Sequence, residues 1–219
     1  MIIAGKCPPE KEELEAAKKR GFENVELYLE RQHIDNYDKS LQNCKNADVN
    51  VVSVHTPHAY PDENGYFEGA GHLADELDAK VVFHSKYVHH YNIPDLEKMD
   101  MAAEYGYENN PGVSAFALEN LILGRGHDLV LDTAHLFIGE EDFVHALKHF
   151  VNHRSDQIQV IHLCDSTYTT DGLGFGEGDI DMEEISKIIL NSNYDEILVL
   201  EVMPEHQRDA LEKIQKWRS

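Results

Sequence analysis

Eight short apolar runs, most of them followed by a segment with helical periodicity, limit most strongly what this chain can fold into. The runs are Met1–Ala4, Val25–Leu29, Val51–Val54, Lys80–Phe83, Tyr105–Glu108, Leu129–Leu131, Ile158–Leu163 and Ile197–Glu201. Helical patterns cover Glu10–Arg20, Tyr37–Cys44, Gly71–Leu77, Val113–Leu123, Glu141–Val151, Met182–Leu190 and Glu205–Arg218, with Gly21 and Gly124 as stops. Strands that alternate with helices argue for parallel βαβ units. Parallel strands buried on both faces read as continuous Val/Ile/Leu runs, as most of these do. Only the fifth run lacks a β-branched stretch. The pattern predicts an α/β fold, a compact (β/α)8 barrel formed by residues 1–219 as one domain. A doubly wound open sheet is the alternative. It would gather its ligand at one crevice and need fewer polar strand ends.

The polar strand ends are the second constraint. His55, His84, Glu108, Asp132, His162 and Glu201 each close an apolar run. In a barrel of this kind the active site lies at the C-terminal ends of the strands. Three carboxylates and an imidazole from Glu108, Asp132, His162 and Glu201 suit a divalent ion such as Zn, Mn, Co or Mg. An ion so held can bind two substrate oxygens, polarise a carbonyl and stabilise an enediolate. Glu108 and Glu201 are the candidate acid–base pair, taking a proton on one face and returning it on the other. Each residue alone has a bland alternative, a helix cap, a salt bridge or a structural histidine. Glu201 follows Ile-Leu-Val-Leu, however, where an unpaired buried carboxylate would be costly.

His55, His84 and His135 are candidates for a second metal or for substrate contact. Glu26, inside Val-Glu-Leu-Tyr-Leu, is either an inward substrate residue or a salt-bridge partner. Lys86 could neutralise an anionic substrate or enolate, or lie on the surface. Among the 14 histidines, His89, His90, His145, His149 and His153 read as surface residues. The run Asp171-Gly-Leu-Gly-Phe-Gly-Glu-Gly178 is open to two readings, a phosphate-binding loop or a flexible connector. Asp171 and Glu177 weigh against phosphate.

A formal net charge of −22 implies a solvated acidic surface. Nucleic-acid enzymes carry a basic footprint, and no basic stripe is present in the sequence. No run of about 18 apolar residues predicts a membrane span, and the N-terminus lacks a signal-peptide core. Three irregularly spaced cysteines suit a reducing cytoplasm.

Leu131-Asp-Thr-Ala-His135, Ile161-His-Leu-Cys-Asp-Ser166, Gly176-Glu-Gly-Asp-Ile-Asp181 and Leu200-Glu-Val202 resemble motifs of the xylose-isomerase-like barrel superfamily. It includes sugar isomerases, ketose epimerases and endonuclease IV. In epimerase-type members the resemblance implies a metal on Glu108, Asp132, His162 and Glu201, with both glutamates as acid–base pair and His135 on the substrate. In endonuclease IV it implies zinc ligands at His55, His84, Asp132 and His135. That enzyme also has an Asp-Arg-His triplet before the Gly-Glu-Gly segment. Here the stretch reads Thr-Thr-Asp-Gly-Leu-Gly-Phe, and the substrate-binding Arg of the epimerases is missing too.

The sequence therefore predicts a divalent-metal-dependent isomerase or epimerase of a small polyhydroxy carbonyl compound. An endonuclease IV-like zinc phosphodiesterase acting on abasic DNA is the alternative. A non-catalytic barrel that binds metal or ligand is the third.

Overall fold

A computed structural model describes residues 1–88 and 103–218. His89 and His90 lie outside the described residues. In chain order the elements begin with β1 (Ile2–Cys7), α1 (Lys11–Arg20), β2 (Asn24–Tyr28), α2 (Arg31–Asp35), α3 (Tyr37–Lys45) and β3 (Asn50–His55). There follow α4 (Asn64–Glu76), β4 (Lys80–Phe83), β5 (Tyr105–Glu108), α5 (Ala115–Leu121), β6 (Asp128–Asp132), α6 (Thr133–Gly139) and α7 (Phe143–His153). The chain continues with β7 (Ile158–Leu163), β8 (Asp165–Thr167), β9 (Thr170–Leu173), α8 (Met182–Leu190), β10 (Ile197–Leu200) and α9 (Gln207–Trp217).

Strands β1 to β7 and β10 close into a parallel barrel in the order β1-β10-β7-β6-β5-β4-β3-β2. The expected (β/α)8 barrel is therefore present. Among the described residues no helix is long and apolar enough to cross a membrane.

Two hydrophobic cores follow from strand alternation. One face of each strand packs outward against the helices, as Val25, Leu27, Leu129, Leu131, Ile161 and Leu198 do. The other face fills the barrel with Ala4, Val82, Val130, Val160, Ile197 and Val199. Successive inward residues are two apart. Two positions beyond Ala4, Val82, Val130, Val160 and Val199 stand Lys6, His84, Asp132, His162 and Glu201. The polar cluster is thus the next layer above an apolar plug. On β5 that plug position is Gly106, where a Cβ would lie 3.0 Å from Val130 Cγ2. Glu108 is two residues on.

β3 needs a correction of phase to join this layer. Its pairing with β2 shifts by one residue, from Val25↔Val51 to Glu26↔Ser53. Such a bulge re-aims the residues after it. Val52 packs on the inner core, Val54 on the outer core, and Ser53 and His55 both turn inward.

Several elements depart from the sequence expectation, among them the short helix α2, which has no expected counterpart. α4 starts at Asn64 rather than Gly71, because Gly65 and Gly69 weaken the helical signal of its first turns. Gly69 is there for packing: a Cβ would meet Ile34 Cγ2 at 2.6 Å. α6 has no counterpart among the expected helices. Asp132 caps it by accepting the His135 amide at 2.6 Å, so the strand end doubles as a helix start. Residues 165–173 form the antiparallel hairpin β8–β9 rather than a plain connector.

Candidate metal centre

Six strand-end residues meet at the barrel mouth. Glu108, Asp132, His162 and Glu201 bring one ligand atom each within 4.8 Å of one another, and His55, His84 and Glu108 do the same. Glu108 belongs to both groups. Its Oε2 lies 3.3 Å from His55 Nε2 and 3.3 Å from His84 Nδ1, and its Oε1 lies 3.5 Å from His162 Nδ1.

Each of the three imidazoles is anchored by its outer nitrogen, which leaves the inner one facing the cluster. His55 Nδ1 donates to the Thr56 carbonyl at 2.9 Å, and His84 Nε2 to Asn110 Oδ1 at 3.2 Å. His162 Nε2 donates to Glu26 Oε2 at 3.1 Å. A metal-bound histidine commonly donates its other N–H to a carbonyl or carboxylate, which fixes its tautomer. Three buried atoms at the centre lack a hydrogen-bond partner: Glu108 Oε2, Glu201 Oε2 and His162 Nδ1. The last two are 2.6 Å apart without a hydrogen bond between them. Buried polar atoms are rarely orphaned. A divalent ion would satisfy all three, so the donor set fits a metal.

The electrostatics are those of a crowded acidic site. Burial pushes Asp132 up to about 6, with Glu201 and Glu108 adding to the rise and His135 opposing it. Burial would also raise Glu108, but the His84 and His162 imidazoles outweigh it and hold the carboxyl well below the usual range. Burial lowers His84 to about 4, so it is neutral and free to ligate. His135 differs. Burial opposes its charge, yet Asp132, a hydrogen bond to Asp171 and Glu108 raise it to about 10. Both of its ring nitrogens are engaged, Nδ1 with the Asn109 carbonyl at 2.7 Å and Nε2 with Asp171 Oδ2 at 3.1 Å. His135 therefore stands apart from the two ligand groups, as an imidazolium on the cavity wall.

The remaining candidates are distributed unevenly. Glu26 is fully buried beneath the cluster and is not part of the cavity wall. Its Oε2 accepts hydrogen bonds from Ser53 and His162, and its Oε1 lies 3.1 Å from Lys6 Nζ. Of the two sequence readings, the salt bridge describes it. Lys86 is exposed, with its ammonium 5.2 Å from the Tyr87 ring centroid, and is not part of the cavity wall.

A cavity of about 180 Å3 opens above the cluster, with Tyr28, His58, Cys164 and Gly172 in its wall. Lys6 and His58 also line it and escaped the sequence reading. The alternation Ala4–Lys6 was the available signal for Lys6. His58 sits in the loop after β3, where no periodicity points to it.

The glycine-rich run beside the cavity is held by an internal anion. Asp165 Oδ2 accepts the amides of Gly176 and Gly178 at 2.8 and 2.9 Å, and Oδ1 those of Ser166 and Ile180 at 2.8 and 3.1 Å. Backbone nests of this kind bind phosphate elsewhere. Here a carboxylate of the chain itself fills the nest, and the anchored hairpin carries Asp171 to His135.

A family model for the xylose isomerase-like TIM barrel matches residues 14–218. No curated protein matches the chain. Among solved structures, a D-allulose 3-epimerase from Methylomonas sp. aligns with a TM-score of 0.77 at 12% identity, covering 99% of this chain and 98% of that one. A Thermus thermophilus protein soaked with zinc chloride gives 0.72 at 19% identity, covering 99% and 98%. An AP endonuclease, family 2, from Brucella melitensis gives 0.71 at 13% identity, covering 100% and 99%. At these identities the likeness is one of fold.

Proposed function

The chain belongs to the xylose isomerase-like TIM barrel family, and from that premise we propose that it is a divalent-metal-dependent isomerase or epimerase of a small polyhydroxy carbonyl compound. The observation that carries this reading is the convergence of Glu108 and Glu201 with anchored imidazoles on the floor of one small cavity. When bound, a divalent ion would polarise the substrate carbonyl and lower the charge cost of an enediolate. Glu108, Asp132, His162 and Glu201 would hold it. His55 and His84 would hold a second ion that shares Glu108. Charge supports bound cations: the four carboxylates of Glu26, Glu108, Asp132 and Glu201 outnumber the Lys6 ammonium and the His135 imidazolium at this site.

Glu201 is the carboxylate placed to take a proton from substrate carbon. Its side chain is 26% exposed, against 1% for Glu108. Return of the proton by Glu201 to the neighbouring carbon on the same face gives isomerisation, and return by Glu108 to the original carbon from the opposite face gives epimerisation. The difference in exposure favours the first. His135, held by Asp171 and the Asn109 carbonyl, faces the substrate from the wall as a fixed positive charge.

A cavity of about 180 Å3 is smaller than the roughly 300–1,000 Å3 of drug-sized sites, which suits a monosaccharide-sized compound. Asp165 already fills the backbone nest, and Asp171 puts a carboxylate at the rim, so an unphosphorylated substrate fits best. The three cysteines are free and buried, in keeping with a cytoplasmic location.

Metal-loaded protein incubated with a panel of aldoses and ketoses in deuterated water tests the proposal. Carbon-bound deuterium should appear in at least one sugar and disappear in Glu201→Gln. No uptake across the panel would overturn proton-transfer isomerisation. His135 beside Asp132, together with His55 and His84, also supports a second reading, an endonuclease IV-like zinc phosphodiesterase acting on abasic DNA. Incision of abasic duplex that is abolished in Asp132→Ala would establish it instead.

A further inference from the structure

β1 ends in Ile2-Ile-Ala-Gly-Lys-Cys7, and its inward alternation puts Lys6 two positions above Ala4. Lys6 pairs in register with Glu26 on β2. Its Nζ lies 2.5 Å from Glu201 Oε1 and 3.1 Å from Glu26 Oε1, with the Tyr28 ring centroid at 6.0 Å. Only 10% of the side chain is exposed, and it forms part of the cavity wall. Burial works against the ammonium, but Glu201, Glu26 and Glu108 together keep it charged.

An ammonium carries three N–H donors. Glu201 and Glu26 account for no more than two. A salt bridge serving the fold alone would not need to reach the cavity, as Lys6 does. The other cation on the described wall, the His135 imidazolium, has both nitrogens engaged by Asn109 and Asp171. His84 has Nε2 engaged by Asn110 Oδ1 at 3.2 Å and Nδ1 turned to Glu108 at 3.3 Å. Lys6 is therefore the charged donor on this wall with a hydrogen to spare.

We propose that Lys6 is a substrate-binding residue, donating its remaining N–H to the substrate oxygen on which negative charge develops when the carbon-bound proton leaves. Preorganised donors at such an oxygen supply much of the rate enhancement in reactions of this type. The assignment rests on the isomerase reading above and adds to it the group that receives the oxyanion. It also separates two effects that a structural role would join. A cation beside Glu201 repels an incoming metal ion, so its removal strengthens metal binding or leaves it unchanged. The same removal weakens binding of any planar, two-oxygen anion that mimics the enediolate.

Oxalate is such an anion, and cobalt(II) gives a visible absorption that reports both events. Wild-type protein loaded with cobalt should bind oxalate. Lys6→Met should bind cobalt at least as tightly and oxalate about 10- to 100-fold more weakly, the loss of one hydrogen bond to a charged group. Lys6→Arg should recover part of the oxalate affinity, and Lys6→Gln serves if the methionine variant does not fold. Unchanged oxalate affinity in the variants, parallel loss of cobalt affinity, or no oxalate binding by the wild type would each overturn the assignment. If oxalate binding depends on Lys6 but no sugar takes up deuterium, the isomerase reading falls and Lys6 remains an oxyanion-binding residue.

Discussion

Glu26 and His162 face each other across the barrel floor, with the imidazole Nε2 donating to the carboxylate at 3.1 Å. Neither side chain is exposed. The bond fixes the tautomer that turns Nδ1 toward Glu108, Asp132 and Glu201. Glu26→Gln keeps the shape and removes the charge. Loss of such an outer partner typically costs about 10- to 100-fold in metal affinity. Calorimetric titration with manganese or zinc should show that loss while the far-ultraviolet circular dichroism stays native.

Proton competition gives a second prediction. Asp132 sits at about 6 instead of 3.8, and His162 is raised well above 6.5, burial opposing its charge and Glu201 and Glu26 outweighing it. Both groups must give up their protons to ligate. In the metal-free protein a group whose folded value is raised stabilises the fold below its ordinary value, and the contribution is lost as pH rises through the folded value. Metal binding reverses that preference. The metal-induced rise in Tm should therefore grow through about pH 6 as Asp132 ionises and continue to grow above it as His162 gives up its proton. Calorimetry in buffers of different ionisation enthalpy should register proton release on binding.

The loop after β7 supplies a third. A Cβ on Gly178 would lie 2.4 Å from Asp165 Oδ1 and 2.5 Å from the Ser166 carbonyl oxygen, so Gly178→Ala must displace the nest. Asp165→Ala leaves four amides without their acceptor. Each substitution should lower unfolding free energy by about 2–4 kcal/mol, the range for a broken buried hydrogen-bond network. Urea denaturation followed by tryptophan fluorescence measures it, since Trp217 stacks on Phe175 of the same loop.

Particular residues show what the sequence carried. The barrel is legible because buried parallel strands need unbroken apolar runs, and Leu129–Leu131 and Ile197–Leu200 are such runs, too short for helices. Asp132 and Glu201 are legible because each ends such a run, His162 stands near the end of a largely apolar one, and Glu108 ends the weaker Tyr-Gly-Tyr. The position of Glu26 is half legible: alternation gives its inward direction, while its depth depends on Lys6, Ser53 and His162 from other strands. Lys6 is hidden because Gly5 ends the apolar run of β1 one residue before it. The helix after Asp132 is hidden because one carboxylate serves as both cap and candidate ligand. The role of Asp165 lies in backbone amides up to 15 residues away, which no side-chain motif displays.

Metal stoichiometry tests the shared carboxylate most directly. Elemental analysis of purified, metal-reconstituted protein should give two ions per chain for wild type. His84→Ala should retain one, on Glu108, Asp132, His162 and Glu201. Asp132→Ala should retain the other, on His55, His84 and Glu108. Glu108→Ala should retain neither at stoichiometric level. A wild-type chain that binds no stoichiometric metal, or a Glu108→Ala variant that keeps both ions, would contradict a centre built around Glu108.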